Sequence, residues 1–373
     1  MKITGAVLRG EQSPFSLEEL ELAAPRPHQI LVRIVGAGHC HTDVLPRAGA
    51  GFGPPPIVLG HEGAGVVETV GTAVHSVAVG DHVVLSFDSC GSCRNCRDAH
   101  PAYCETFVAR NLAGLALDGS TTLTDVAGNS VAGRWFGQSS FATHAVVDAA
   151  NAVVVDKSLP LHLLGPLGCG IQTGAGAVLE ALRVRSGEAI VVTGTGAVGL
   201  SAIMAAKVAG AGPIIGVDLN PERLALAAEL GATHTIVAGT GDLTEQIRAI
   251  VPAGVRYGVD TTGLPHVITA AIEALAMRGV LGMVGVQQGE LTVGPLALAF
   301  GRTLTGILEG DVNPQTFIPT LISLWQDGRF PFDRLVETFD LADISSVEQR
   351  ALAGQIVKPV LLPHQASAAR TSP

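Results

Sequence analysis

The stretch AIVVTGTGAVGLSAIMAAKVAGAGPIIGVD, residues 189–218, decides the fold of this chain. A short apolar run typical of a buried strand leads into Gly194, Gly196 and Gly199, spaced G-x-G-x-x-G, and a helical pattern follows. The first glycine permits a tight turn, the second leaves room for a pyrophosphate, and the third lets the helix pack closely. A second apolar run ends in Asp218, a carboxylate suited to an adenosine ribose and repulsive to a 2′-phosphate. The stretch therefore predicts a dinucleotide site at a helix N-terminus that prefers NAD to NADP.

The remaining sequence shows two kinds of pattern. From about Gly168 onward, strands alternate with helices, which is typical of a doubly wound parallel sheet in an α/β protein. The expected strands there are IVVTG, PIIGVD, HTIVA, YGVDTTG and GVLGMVGV, and the segment 220–231 has the end signals of a helix. The first 150 residues instead carry short apolar runs separated by glycine and proline, which predicts a β-barrel-like domain. After about Glu309 the alternation ends, and FIPTLISLWQDGRF is expected to be a helix that leads back to the first domain.

Length and composition limit the classes of function. A chain of 373 residues predicts two domains, and 47% hydrophobic with 15% charged residues describes a compact soluble protein. The net charge of −10 argues against nucleic acid or an anionic membrane as the main partner. The sequence opens without a secretory pattern, so we expect a cytoplasmic protein, with a frayed tail over Ala366–Pro373.

Four of the six cysteines form one cluster. Cys90, Cys93, Cys96 and Cys104 follow the pattern C-x-x-C-x-x-C-x7-C. Four thiolates on one short lobe can complete a tetrahedral zinc site with no open position, which is a structural site. An iron–sulfur cluster and free thiols are the alternatives, and a reducing compartment disfavours disulfides.

The two remaining cysteines and one histidine form a second candidate set. Cys40 lies in GHCHTD, His61 in GHEGAGVVETVG and Cys169 in LGPLGCGIQTGAG. Two thiolates and one imidazole with an open fourth position are the arrangement of a catalytic zinc. Taken singly, each residue is more commonly an ordinary core residue, and spacing in the sequence does not show that the three meet.

The motifs GHEGAGVVETVG, the four-cysteine lobe and VVTGTGAVGL resemble the zinc-dependent alcohol dehydrogenases of the medium-chain dehydrogenase/reductase family. The resemblance covers nearly the whole chain. It implies a GroES-like β-barrel catalytic domain, residues 1–170 and 308–373, interrupted by a Rossmann NAD-binding domain, residues 171–307. It also implies two zinc ions per chain, NAD as the cofactor, and a small-molecule alcohol or aldehyde as the substrate.

The resemblance assigns roles around the catalytic zinc. Cys40, His61 and Cys169 would bind the ion, which polarises the alcohol oxygen before hydride passes to NAD. Glu62 would be the nearby carboxylate that approaches the metal, and Asp43 the acceptor that orients His61.

The proton route shows one departure from the family. Thr42 resembles the family hydroxyl that takes the alcohol proton and passes it toward the nicotinamide ribose. Many relatives carry a histidine three residues later, whereas this chain has Leu45, which cannot carry a proton. We therefore expect the ribose to give its proton directly to water or to another side chain.

Further residues resemble cofactor contacts. His41 stands where relatives often have an arginine that faces the pyrophosphate, so a mostly neutral imidazole predicts weaker retention of NADH. The other expected contacts are Thr173, Val198 behind the nicotinamide, Arg223 near the adenosine ribose, and Lys358 at the pyrophosphate.

The substrate prediction rests on aromatic residues and on the closest motif resemblance. Phe87, Trp135, Phe136 and Phe141 lie in segments that, by resemblance, approach the substrate, and an aromatic slot suits a flat apolar alcohol. For any one of them taken singly, core packing is the more common role. The motifs most resemble bacterial aryl- and benzyl-alcohol dehydrogenases, which implies oxidation of primary aromatic or allylic alcohols to aldehydes. A broader or geraniol-type specificity is the first alternative, glutathione-dependent formaldehyde oxidation is a weaker one, and a non-enzymatic zinc-thiolate redox sensor is another. A zinc-free quinone reductase of the same superfamily would lack these cysteines.

Relatives associate through their Rossmann domains. We therefore expect a homodimer or homotetramer, with GVLGMVGV, residues 279–286, as the candidate edge strand.

Overall fold

The computed structural model describes residues 1–49 and 51–364. The chain forms two compact units. The first, here the catalytic unit, comprises Met1–Cys169, Pro314–Pro319 and Asp333–Pro373, and the second, the dinucleotide unit, comprises Gly170–Asn313 and Thr320–Phe332. This division gives Gly170 and residues 308–313 and 320–332 to the second unit, whereas the expected boundary gave them to the first. The expected frayed tail lies outside the described residues.

Eighteen strands are described in chain order. They are β1 (Lys2–Leu8), β2 (Phe15–Leu22), β3 (Gln29–Gly38), β4 (Ile57–Val58), β5 (Glu62–Val70), β6 (His82–Leu85), β7 (Leu123–Asp125), β8 (Ser130–Val131), β9 (His144–Asp148), β10 (Ala152–Val155), β11 (Ile190–Thr193), β12 (Ile214–Asp218), β13 (His234–Val237), β14 (Val255–Asp260), β15 (Leu275–Met283), β16 (Thr303–Gly306), β17 (Val336–Asp340) and β18 (Lys358–Leu362).

The α-helices of the described residues number nine. They are α1 (Arg94–Arg97), α2 (Phe107–Asn111), α3 (Gly170–Gly176), α4 (Ala197–Val208), α5 (Pro221–Leu230), α6 (Leu243–Ile250), α7 (Pro265–Ala274), α8 (Pro314–Gln326) and α9 (Ile344–Leu352). Short 3-10 turns connect several of them, and one of these, His41–Ala48, carries candidate site residues. None of the helices within residues 1–49 and 51–364 has the length and apolar character needed to cross a membrane.

The catalytic unit is built from two sheets. Their orders are β4-β1-β2-β7-β8 and β10-β6-β5-β3-β18-β17, with β9 paired to β3. Nearly all neighbours are antiparallel, which suits short strands joined by tight glycine and proline turns. The register of β3 against β5 places Gly38 opposite Glu62. Cys40, two residues after β3, and His61, one residue before β5, therefore lie at the same end of this strand pair.

The dinucleotide unit is a parallel sheet of the order β13-β12-β11-β14-β15-β16. All five neighbouring pairs are parallel, and most residues of β11, β12 and β14 are buried, as continuous apolar runs predict. The two units together confirm the α/β class with a separate β domain.

The predicted helix at 220–231 follows its end signals. Asn220 is the N-cap, and its side chain accepts hydrogen bonds from the backbone N–H groups of Glu222 and Arg223. Pro221 is the first helical residue, and Gly231 ends α5 with φ 138°.

The prediction that residues 279–286 form the edge strand is wrong. Most of the segment 279–286 belongs to β15, which pairs with β14 on one side and β16 on the other. The outer strand is β16, Thr303–Gly306, which is less apolar and is not among the strands expected from the sequence. The segment is apolar because β15 is buried between two neighbouring strands, and not because it forms an exposed edge.

Candidate metal centres and dinucleotide loop

The structure brings Cys40, His61 and Cys169 together with Glu62. One ligand atom from each of the four side chains lies within 4.8 Å of every other. Two tight glycine contacts fix the approach of their segments. A Cβ on Gly38 would lie 2.0 Å from Glu62 Oε2, and one on Gly168 would lie 2.0 Å from the Leu85 carbonyl oxygen. Only glycine therefore lets the segments that carry Cys40 and Cys169 come so close to their neighbours.

Asp43 holds the His61 ring. Its Oδ1 lies 2.8 Å from His61 Nδ1, and both side chains are fully buried. Asp43 also accepts hydrogen bonds from the backbone N–H groups of Cys40, at 3.1 Å, and Gly60, at 3.1 Å. Burial lowers the pKa of His61, but the Asp43 carboxylate together with the neighbouring Cys40 raises that pKa well above its ordinary value.

The other ring nitrogen of His61 is the observation that points to a metal. Nε2 is buried and has no hydrogen-bond partner among the described residues. Since Nδ1 is engaged by Asp43, Nε2 is the atom left to face the two cysteine sulfurs. Contact with Cys169 lowers the pKa of Cys40 well below its ordinary value, against the effect of burial, and the Lys358 ammonium acts in the same direction. Two cysteine sulfurs and one imidazole are a donor set that zinc prefers.

Glu62 and Lys358 form a buried ion pair beside this cluster. Lys358 Nζ donates to Glu62 Oε1 at 2.8 Å and Oε2 at 2.9 Å, and to the His39 carbonyl oxygen at 3.3 Å. Burial raises the pKa of Glu62, and the ammonium opposes that rise. The sequence suggested Lys358 as a pyrophosphate contact, whereas the structure gives it Glu62 as its partner, which spacing alone did not indicate.

Thr42, His41 and Leu45 all lie on the 3-10 helix His41–Ala48. Thr42 is half-buried, and its Oγ1 lies 3.9 Å from Cys40 Sγ. His41 is exposed, and Leu45 is half-buried against the hydrophobic core. A hydroxyl is therefore next to the cluster, and the residue three positions later is an apolar packing residue.

The four-cysteine lobe forms a second cluster. One sulfur from each of Cys90, Cys93, Cys96 and Cys104 lies within 4.8 Å of the others, and none of the six cysteines is in a disulfide. Cys90 Sγ accepts hydrogen bonds from the backbone N–H groups of Ser92, at 3.4 Å, and Cys93, at 3.2 Å. These bonds lower the pKa of Cys90 to about 5. The backbone thus favours thiolate at this position, as a tetrahedral metal site needs.

The three glycines of the predicted dinucleotide loop differ in the space around them. Gly194 has φ +86°, and its N–H donates to the Val217 carbonyl at 2.8 Å. A Cβ on Gly199 would lie 1.8 Å from the Gly194 carbonyl oxygen, so the helix could not pack this closely with any other residue. A Cβ on Gly196 would meet nothing within 4 Å, which leaves free space next to the start of α4. The loop is therefore closed where the fold requires it and open where a pyrophosphate would approach.

The predicted ribose contacts lie beside this loop. Asp218, at the end of β12, accepts hydrogen bonds from Thr195 N at 2.6 Å, Thr195 Oγ1 at 2.9 Å and Asn220 N at 2.9 Å. Arg223, on α5, has a buried Nε with no partner among the described residues. Val198 is half-buried in the first turn of α4, and Thr173 is buried in α3. Asp218 is thus held rigidly, and Arg223 has an unused donor.

The four aromatic residues expected at the substrate do not share one role. The Phe136 ring stacks on His61, with ring centroids 4.5 Å apart, and Phe87 packs against Phe107. Trp135 and Phe141 have 0% of their surface exposed, so in this structure they are core residues and not substrate contacts. Their aromatic character reflects core packing, the alternative explanation for each such residue.

Sequence reasoning missed Gln138. Its Nε2 donates to the His61 carbonyl oxygen at 2.9 Å, and its Oε1 accepts from Gly63 N at 3.0 Å. The side chain therefore holds the backbone on both sides of Glu62. A glutamine inside FGQSSF carries no signal in the sequence, because its partners are 52 or more residues away.

Comparisons with known proteins agree with this geometry. Residues 26–157 match the family described as alcohol dehydrogenase GroES-like domain, and residues 197–326 match the one described as zinc-binding dehydrogenase. The chain is 44% identical to a geraniol dehydrogenase of Castellaniella defragrans over 362 residues, which cover 96% of each sequence.

Two solved structures are similar throughout. An alcohol dehydrogenase zinc-binding domain protein from Burkholderia ambifaria has 49% identity and a TM-score of 0.95, with 98% of this chain and 100% of that chain covered. The benzyl alcohol dehydrogenase of Acinetobacter calcoaceticus has 41% identity and a TM-score of 0.94, with 97% and 99% covered.

The class of protein is therefore a zinc-binding dehydrogenase with a GroES-like domain and a Rossmann domain. The chain belongs to the zinc-dependent alcohol dehydrogenases of the medium-chain dehydrogenase/reductase family, enzymes that use zinc and NAD.

The glycine loop allows a matched pair of substitutions. We expect Gly199→Ala to lower the free energy of unfolding by about 1–3 kcal/mol, because its Cβ would overlap the Gly194 carbonyl. Gly196→Ala should change that free energy by less than about 0.5 kcal/mol. It should nevertheless weaken NAD binding about tenfold or more, which is about 1.4 kcal/mol, because its methyl group fills the open side of the loop. Denaturant unfolding and NAD titration measure the two effects, and wild-type NAD affinity in Gly196→Ala would contradict the cofactor placement.

Proposed function

We propose that this alcohol dehydrogenase oxidises primary aromatic or allylic alcohols to aldehydes, reversibly, with hydride transfer to NAD. The carrying observation is the buried, unpartnered His61 Nε2 that faces the sulfurs of Cys40 and Cys169. The relatives support the substrate class, because one is named for geraniol and another for benzyl alcohol. Both alcohols carry a π system on the carbon next to the hydroxyl-bearing carbon. A broad-range or terpenoid-alcohol specificity is the second candidate.

Each polar residue around the two-sulfur cluster has its own role in the proposed reaction. Zinc bound by Cys40, His61 and Cys169 would polarise the alcohol oxygen. Asp43 keeps Nδ1 of His61 engaged so that Nε2 points toward the sulfurs. Thr42 takes the alcohol proton through its hydroxyl, which lies beside Cys40. Glu62 supplies a carboxylate next to the ligands, and Lys358 balances its charge.

Charge around Asp218 supports NAD over NADP. Its carboxylate is fixed by Thr195 and Asn220, so it cannot swing away from a 2′-phosphate. Arg223 contributes its free donor to the ribose or its phosphate. His41, Thr173 and Val198 complete the proposed cofactor contacts. The four-cysteine lobe would hold a second zinc, which gives two ions per chain.

We further propose a cytoplasmic homo-oligomer that assembles through the dinucleotide unit. Within the described residues β16 pairs with β15 alone, so its outer edge has unused backbone hydrogen-bonding groups. Large apolar side chains are exposed in the same unit, among them Met277, Val286, Leu296 and Phe300. A second copy of the chain would cover both the edge and these side chains.

A matched pair of alcohols tests the substrate class. With zinc-loaded protein and NAD, benzyl alcohol and geraniol should raise absorbance at 340 nm. Cyclohexylmethanol, the saturated counterpart of benzyl alcohol, should show a kcat/KM lower by about tenfold or more, which corresponds to about 1.4 kcal/mol of transition-state stabilisation. Cys169→Ser should lose this activity, since it removes one sulfur of the cluster. No oxidation of either unsaturated alcohol by zinc-loaded protein, or equal rates with NADP, would contradict the proposal.

The proton route predicts a change in pH dependence for Leu45→His. A histidine with an unperturbed pKa near about 6.5 accepts a proton when neutral, so kcat for oxidation should gain a rise through that pH range. Leu45→Gln is the control, because it is polar but does not titrate, and both variants disturb the same packing. If kcat of the histidine and glutamine variants has the same pH profile between about 5.5 and 8, the relay argument is wrong.

The oligomer proposal predicts that Phe300→Glu weakens self-association. Burying an unpaired carboxylate in the interface should cost about 2 kcal/mol, a rise in the dimer dissociation constant of about 30-fold. Val126→Glu is the matched control, since Val126 is also an exposed apolar residue but belongs to the catalytic unit. Sedimentation velocity over a concentration series measures both, and a wild-type monomer at micromolar concentration would refute the proposal.

A further inference from the structure

Asp43 accepts hydrogen bonds from several groups besides His61. Besides His61 Nδ1 and the Gly60 N–H, its Oδ1 accepts a hydrogen bond from Trp135 Nε1 at 3.0 Å. Its Oδ2 is held by the Cys40 N–H. Asp43 and Trp135 both have 0% of their surface exposed, so no solvent molecule can replace the indole donor without a cavity.

The segment that carries Trp135 also contacts His61 directly. Phe136 adopts φ +50°, a left-handed conformation, and its ring stacks on the His61 imidazole. Gln138 binds the His61 carbonyl oxygen, and Ser139 Oγ accepts from the Trp135 N–H at 2.9 Å and donates to the Val58 carbonyl at 2.7 Å. One short turn therefore holds the imidazole face, the backbone of His61 and the carboxylate that orients the ring.

We propose that Trp135 is a positioning residue for His61, which it reaches through Asp43. Asp43 Oδ1 is shared by the Gly60 backbone N–H, His61 Nδ1 and the Trp135 indole N–H. Besides His61 itself, the indole is the one side-chain donor of these three. The indole N–H fixes the rotation of the carboxylate, so Nε2 keeps a single direction toward the two sulfurs. Without the indole N–H, the carboxylate and the ring turn together, and the ligand set loses its alignment. The inference rests on the zinc site of the proposed function.

The first test is Trp135→Phe, which keeps an aromatic ring and removes the N–H. We expect one of the two zinc ions to pass to a chelator about tenfold faster than in the wild type, with the other unchanged. The visible spectrum of the cobalt-substituted protein should change in the bands of the two-sulfur site. The kcat should fall, while KM for NAD stays within about twofold, because the glycine loop belongs to the other unit.

Trp325→Phe is the matched control. Trp325 is the second of the two tryptophans in the chain, and it lies in the dinucleotide unit, where its ring packs against Phe332. Its loss should leave the zinc-release rates and the cobalt spectrum at wild-type values. Release rates in Trp135→Phe within twofold of this control, with an unchanged cobalt spectrum, would overturn the proposal.

A second variant covers the case in which Trp135→Phe does not fold. In the Trp325→Phe background, a tryptophan analogue with sulfur in place of the indole N–H removes the hydrogen-bond donor and keeps a bicyclic aromatic ring of similar size. The same acceleration of zinc release is expected, and its absence would overturn the proposal. Failure of the proposed function can be told apart from failure of this proposal. In that case the wild-type protein itself would hold no zinc at the two-sulfur cluster and would not oxidise alcohols.

Discussion

The catalytic unit depends on one buried carboxylate. Asp43 has no exposed surface, so its charge is stable only if surrounding groups donate hydrogen bonds to it. The donors are the backbone of Cys40 and Gly60, the His61 ring and the Trp135 indole. These groups come from three separate segments, so their hydrogen bonds to one carboxylate fix the relative positions of the segments. Cys40 and His61, which cluster with Cys169, are thereby held in place.

A second buried charge pair balances the same site. Glu62 and Lys358 are 0% and 2% exposed and bind each other through two short N–O contacts. Burying two charges costs desolvation free energy, which their attraction offsets only when the hydrogen-bond geometry is close to ideal. Such a pair therefore fixes the positions of its two side chains more than it stabilises the fold. Here it places an ammonium next to two sulfurs whose thiolate forms need a positive neighbour, and it keeps a carboxylate close to them.

The sequence predicted those features that depend on local spacing. The spacing of Gly194, Gly196 and Gly199 is a local pattern. The structure shows a left-handed turn at Gly194, close helix packing at Gly199 and open space beside Gly196. The four-cysteine lobe is equally local. By contrast, the exposure of an aromatic residue depends on what packs over it, so the substrate interpretation of Trp135 and Phe141 was wrong. Hydrophobicity also failed to locate the sheet edge, since the apolar β15 is internal and the short β16 is outermost. Gln138 has only long-range partners, and no motif indicates it.

We propose that a metal with an open position lies between Cys40, His61 and Cys169. Diffraction from crystals of the zinc-loaded protein, measured on both sides of the zinc absorption edge, would locate it. We expect two anomalous peaks per chain, one enclosed by the four cysteines of the lobe and one in contact with His61 Nε2 and the sulfurs of Cys40 and Cys169. A single peak at the lobe, with none beside His61, would show that the proposed catalytic metal site is wrong.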